Sequence, residues 1–242
     1  MRRVCFALLM CAAGCGLRDV PGPPGLEQIV VQSVLNAQAA EQVVWIERSI
    51  PAGGPISSEL RPLATPPTRV EVSDSAGSVF AFQPDTTNAA RFVAAFSPMP
   101  GMRYELFVDV GEQVLRASTR VPEIVTIVDP AADTISATRN SPLRLTWVGP
   151  IRPIRVTVAD TSGRQFIAFP EWVTLDTAVV VQTLSGFPAI GIWVLSCDSV
   201  TARAGELFAP VGVLSQQFRG NVSGGVGLFG AVTGDHIIVR LQ

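Results

Sequence analysis

Apolar and polar residues alternate with a period of two along most of this chain, the pattern of strands with one buried face. Between residues 102 and 110, Tyr104, Leu106 and Val108 fall on one side and Arg103 and Glu105 on the other. Residues 29–35 and 43–50 are β-branched runs separated by a short polar stretch, which predicts a strand pair. Shorter runs at 69–72, 78–82 and 91–96 are divided by polar turns such as Asp74-Ser75-Ala76-Gly77. Gly111-Glu112 then turns the 102–110 strand into another over 113–120. In the second half, Leu143, Leu145 and Trp147 share a face, and strands follow over 154–159, 164–169, 179–181 and 190–197. Residues 199–208 are the one segment that reads as a helix. Near the end, Thr233-Gly234-Asp235 predicts a tight type II′ turn, since glycine accepts the positive φ, before a last strand over 236–241.

Many short strands at this spacing predict a mainly β protein with few or no helices. The single tyrosine, Tyr104, follows Pro100-Gly101 at the entry to its strand. That placement resembles the tyrosine corner of immunoglobulin-like sandwiches. Pro122 closes one strand set and Asp129-Pro130 opens another. The reading is an immunoglobulin-like β-sandwich over 27–124, followed by a second β-rich domain, fibronectin- or immunoglobulin-like, over 125–242.

Residues 1–14 have a different character. Arg2 and Arg3 precede an apolar stretch over 4–13, and Ala12-Ala13-Gly14-Cys15 puts small residues ahead of a cysteine. The stretch is too short to span a bilayer, which takes roughly 20 residues. The pattern resembles a lipobox, cut before Cys15 so that acyl chains such as palmitate attach there. Cys15 is the expected lipidation site and the membrane the first expected partner. Each buried methylene contributes roughly 0.8 kcal/mol, so two or more chains anchor a protein stably. Residues 15–26, rich in Pro and Gly, read as an extended tether of about 3.1 Å per residue. The expected location is the cell envelope, lipid-anchored at the outer membrane.

Composition narrows the partners. All 18 basic residues are arginine. Removal of residues 1–14 takes away Arg2 and Arg3 and leaves 16 Arg against 20 acidic residues, a net charge of −4. These charges are scattered singly, and without a basic run no nucleic acid is expected. Of four cysteines only Cys197 then remains as a thiol, so no internal disulfide is expected.

The motifs that suggest chemistry fail on context. Gly225-Val226-Gly227-Leu228-Phe229-Gly230 matches G-x-G-x-x-G, but dinucleotide binding needs a following helix and an acidic residue about 20 positions on. The chain ends first, so no nucleotide is expected, and the glycines read as allowing bulges or close backbone packing. Ser223 resembles a nucleophile elbow, yet Asn221 stands where glycine is required. His236 is the only histidine and reads as an exposed residue beside a turn. One histidine and one thiol are too few for a closed zinc site. Asp85, Asp129 and Asp133 are the residues that could converge on calcium, without a DxDxDG loop. Glu171, Asp176 and Glu206 are the residues for a carboxylate pair. The expectation is therefore no catalytic residue, no metal and no cofactor. Among the aromatics, Trp147 and Trp193 read as core, and Trp45 as buried. Cys197 reads as a small buried hydrophobe. Trp172, after Pro170-Glu171 at a strand end, is the candidate binding residue, a platform for a sugar or a partner.

Three stretches carry a family resemblance. They are Ile29-Val30-Val31-Gln32-Ser33-Val34-Leu35-Asn36 with Val43-Val44-Trp45-Ile46-Glu47-Arg48-Ser49; Pro100-Gly101-Met102-Arg103-Tyr104-Glu105-Leu106 continuing to Ala117-Ser118-Thr119-Arg120-Val121-Pro122; and Asn221-Val222-Ser223-Gly224-Gly225-Val226-Gly227-Leu228-Phe229-Gly230-Ala231. Together they resemble the bacterial envelope lipoproteins grouped as domain of unknown function 4249. Residues 176–205 depart from that pattern, being shorter and less helical. The resemblance implies two β-rich parts facing the periplasm or the surface, no established activity, and work beside outer-membrane receptor barrels. The functional expectation is a non-catalytic interaction or accessory lipoprotein beside an outer-membrane receptor or transporter. Its alternative is a glycan- or peptide-binding module, with a surface polysaccharide as one partner.

Overall fold

The computed structural model describes residues 28–49, 61–150, 154–159, 172–182, 187–201 and 220–242. The first half folds as β1 (Ile29–Asn36), β2 (Glu41–Arg48), β3 (Arg69–Asp74), β4 (Val79–Ala81), β5 (Gln83–Pro84), β6 (Arg91–Ala95), β7 (Arg103–Val110) and β8 (Gln113–Arg120). The second continues as β9 (Thr126–Asp129), β10 (Thr134–Ala137), β11 (Pro142–Val148), β12 (Ile154–Ala159), β13 (Trp172–Thr174), β14 (Ala178–Gln182) and β15 (Ala189–Cys197). The chain closes on β16 (Val226–Leu241). The protein is mainly β, as the alternation predicts.

The last strand organises the whole molecule. β16 runs 16 residues, about 50 Å at roughly 3.3 Å per residue. Its first part pairs in parallel with β1 from Val226 to Val232. Its second part pairs antiparallel with β15 from Val232 to Arg240, and β10 lies parallel beside Ile238 to Leu241. A large sheet results, in the order β13-β12-β15-β16-β1-β2-β6-β5, with β10 beside β16. Two smaller sheets, β4-β3-β7-β8 and β14-β11-β9, complete two sandwiches.

Each sandwich has its own core. In the first, Val31, Leu35, Val44, Ile46 and Phe92 of the large sheet meet Val72, Leu106, Val108 and Leu115 of the four-stranded one. In the second, Ile154, Val156, Ile190, Ile192 and Val194 meet Leu145, Trp147 and Val181. Val121 is buried in the first core and Val125 in the second. From β16, Phe229 and Ala231 enter the first core and Ile237, Val239 and Leu241 the second. All five are odd-numbered, so the period of two sets both cores on the same side of the shared strand.

Tyr104 is 1% exposed, and its hydroxyl accepts a hydrogen bond from the Met99 amide at 2.9 Å. This is the tyrosine corner that the sequence placement suggests. A polar contact ties the lobes together: the Thr119 hydroxyl donates to the buried Asp198 carboxylate at 2.6 Å. Within the second sandwich, the Ile127 amide donates to Asp235 Oδ2 at 2.9 Å. Asp198 Oδ1 also accepts from the Thr201 amide at 2.8 Å, capping the helical residues 199–201. Residues 202–208 of the expected helix and the expected strand over 164–169 lie outside the described residues.

The chain end differs from expectation. No turn interrupts Thr233-Gly234-Asp235; β16 passes straight through. Gly234 is there because a Cβ would stand 2.1 Å from the Val194 carbonyl oxygen, so glycine serves a close strand approach. β9 and β10, each of four residues, are additional to the expected strands.

Candidate binding surfaces

Since Val72, Leu106, Val108 and Leu115 point into the first core, the residues alternating with them line the outer face of the four-stranded sheet. Glu71, Phe107 and Arg116 form one cross-strand row there. The guanidinium carbons of Arg69 and Arg116 lie 5.0 and 4.9 Å from the Phe107 ring centroid, so two cations flank one ring. Arg69 is also paired with Glu71 at 2.6 Å, and that hydrogen bond holds its pKa above the ordinary value. Arg116 is different. Among the described residues its guanidinium meets the Phe107 ring alone, while its backbone exchanges hydrogen bonds with Ser223 at 3.1 and 2.8 Å.

The adjacent row holds Ser73, Glu105 and Ser118. Arg103 reaches Glu105 at 3.4 Å and donates to Ser118 Oγ at 3.3 Å. Between these rows lies a groove of about 330 Å³, walled on its far side by Asn221 and Ser223.

That wall is fixed by one side chain. Asn221 Nδ2 donates to the Ser118 carbonyl at 2.9 Å and to the Phe229 carbonyl at 2.7 Å. Its Oδ1 accepts from the Phe229 amide at 2.9 Å. Asn221 therefore acts as a one-residue strand between β8 and β16, clamping the two sheets of the first sandwich. Close backbone approach requires the glycines beside it: Gly227 has φ of 133°, and a Cβ there would stand 1.8 Å from the Val31 carbonyl oxygen. From Val226 on, the G-x-G-x-x-G match is thus part of a β-strand packed against its neighbours.

A second surface lies on the outer face of the large sheet. Trp193, expected in the core, is half-buried on the opposite face, because Ile192 and Val194 are the inward residues of β15. A Cβ on Gly191 would stand 2.1 Å from its Cη2, so the indole lies across the glycine. His236 is its partner in register and exposed, with ring centroids 5.7 Å apart and planes within 12°. Trp45, expected to be buried, is likewise half-buried opposite Val44 and Ile46. Trp147 is 2% exposed and lies in the second core as expected. Cys197 is buried against Val232 and Leu195.

The remaining sequence candidates form no common site among the described residues. Cys15 lies outside the described residues, as do Glu171 and Glu206. Of Trp172 only the backbone is described, opposite Val156 at the edge of the large sheet. The Thr87 hydroxyl and amide, together with Arg91, hold the Asp85 carboxyl far below the ordinary carboxylate range. Asp129, Asp133 and Asp176 are exposed, and among the described residues no three His, Cys, Asp or Glu side chains gather to hold a metal. The Ser223 hydroxyl donates to the Arg116 carbonyl at 3.0 Å, which makes it a structural partner of β8. Sequence reasoning missed Phe107 and Arg116, whose meeting depends on strand register. It also missed the role of Asn221, although the segment around it had been singled out.

Comparison with curated proteins returns no match. Among solved structures, a titin tandem of immunoglobulin domains is 10% identical over 90% of this chain and 96% of that one, with a TM-score of 0.24. One family model matches residues 20–179, which takes in the stretches at 29–49 and 100–122 and stops short of Asn221. The chain belongs to that family, described as "Domain of unknown function (DUF4249)".

Proposed function

We propose that this protein is a non-catalytic lipoprotein of the bacterial envelope, anchored through Cys15, that docks on another envelope component such as an outer-membrane receptor or transporter. The observation that carries the reading is the outer face of the four-stranded sheet, where exposed Arg69 and Arg116 flank Phe107. Aromatic residues and arginine are the types enriched at protein interfaces and at their energetic centres. A β-sandwich supplies a rigid support for such a face, which limits the ordering cost of association. The lipobox and the Pro/Gly-rich tether would hold this face off the bilayer within reach of a barrel.

Cross-linking of the full-length lipoprotein in its native envelope, followed by affinity purification and mass spectrometry, tests the reading. A specific outer-membrane partner, lost together with membrane fractionation in Cys15→Ala, is the expected result. Recovery of the protein by itself overturns it. The stacked Trp193 and His236 favour a second reading, a glycan-binding module, since an indole laid flat on a sheet offers a face for a sugar ring. Co-purification of polysaccharide, abolished in Trp193→Ala, would select that reading instead.

A further inference from the structure

We propose that the groove on the outer face of the four-stranded sheet binds a carboxylate, and that its natural occupant is an acidic segment of the docking partner; the choice of occupant rests on the docking reading above. The charges in the groove do not cancel. Arg103 and Arg116 are cationic and Glu105 is anionic, and Arg103 reaches Glu105 at 3.4 Å. One positive charge is left over, that of Arg116, and one carboxylate neutralises it.

The geometry around Arg116 suits that ligand. The Arg116 guanidinium carbon lies 4.9 Å from the Phe107 ring centroid, and no hydrogen bond among the described residues takes up its N–H groups, which suit a planar, bidentate acceptor. The ring and the backbone pair with Ser223 restrain the side chain at both ends, so little freedom is left to lose on binding. Ser118 Oγ accepts from Arg103, which leaves its O–H free to donate, and the half-buried Ser73 hydroxyl lies across the same groove. Size selects the source of the carboxylate. At about 330 Å³ the groove is at the small end of ligand sites, roughly 300–1,000 Å³, and fits an acidic side chain with its flanking backbone better than several linked sugars.

The cross-linking experiment, repeated with Arg116→Gln and with Arg240→Gln as an exposed control on β16, tests the site. Arg116→Gln is expected to cut partner recovery about tenfold, with Arg240→Gln at the parent level; equal recovery from both overturns the groove while the docking function stands. Should the parent capture no partner, the docking reading fails separately, and titration of the full-length protein in detergent decides the site. There, a capped peptide of Asp and Glu is expected to bind, its Asn/Gln counterpart not, and Arg116→Gln to weaken binding about tenfold. Equal binding of both peptides, no binding of either, or tighter binding of a glucuronate trisaccharide overturns the proposal.

Discussion

Truncating Phe229 to alanine tests whether the shared strand makes the two sandwiches one cooperative unit. Phe229 is fully buried in the first core, on the part of β16 that pairs with β1. Its loss removes a large apolar side chain and leaves a cavity, about 3–5 kcal/mol for Phe→Ala at such positions. At roughly 2–4 °C per kcal/mol for a chain of this size, the expected fall in Tm is about 10 °C. The informative probe sits in the other lobe. Trp147 is 2% exposed in the second core, so a protein carrying Trp45→Phe, Trp172→Phe and Trp193→Phe reports that lobe by fluorescence. Circular dichroism reports both lobes. β16 passes from β1 to β15 at Val232 without a break, and the Thr119–Asp198 bond joins the lobes beside it. The two signals are therefore expected to shift together. If Trp147 melts at the parent temperature while circular dichroism shows an earlier step, the lobes are independent and the shared-strand argument is wrong.

Asn221→Ala removes three hydrogen bonds and leaves the amide and carbonyl of buried Phe229 unpaired, so a loss of about 3 kcal/mol is expected, read as a lower urea midpoint with unchanged m. Gly191→Ala places a Cβ 2.1 Å from the Trp193 indole, which has to move by about 1.3 Å to reach ordinary contact at 3.4 Å. In a protein retaining Trp193 as its sole tryptophan, the emission maximum is expected to shift to the red, and an unchanged spectrum refutes the packing. Asp85 titrates below the ordinary carboxylate range in the folded protein, so its contribution is complete above the unfolded pKa, about 3.9, and is lost as pH falls below it. Asp85→Asn is expected to flatten the loss of stability on acidification; parallel losses in both proteins would count against the Thr87 and Arg91 pairing.

Where one face of a strand is polar, the sequence reads directly as structure. Arg103 and Glu105 against Tyr104, Leu106 and Val108 fix which side of β7 meets the core, and the structure agrees. β15 gives no such contrast, because Gly191, Trp193 and Leu195 are as apolar as Ile190, Ile192 and Val194. A central strand that is apolar on both faces has no readable inside, which is why Trp193 was expected in the core. Gly234 misled for a related reason. Glycine is needed both where φ is positive and where another backbone comes close, and only the cross-strand neighbour Val194 tells the two apart. The groove has no local signature at all: Ser73, Arg116 and Ser223 meet through β3, β7, β8 and the segment before β16.

The groove and the fold share a wall, and this decides how substitutions there have to be interpreted. Asn221 and Ser223 line the site and also hold β8 to β16. A change at Asn221 therefore lowers stability and binding together and says nothing about recognition. Arg116 separates the two quantities. Its backbone carries the pairing with Ser223, and Gln at that position keeps it. Its exposed side chain supplies the uncommitted charge, and substitutions at such surface positions usually stay within about 0.5 kcal/mol of the parent. Loss of partner recovery in Arg116→Gln at an unchanged unfolding midpoint isolates the charge, whereas a fall in both would return Arg116 to the framework that holds the sheet together.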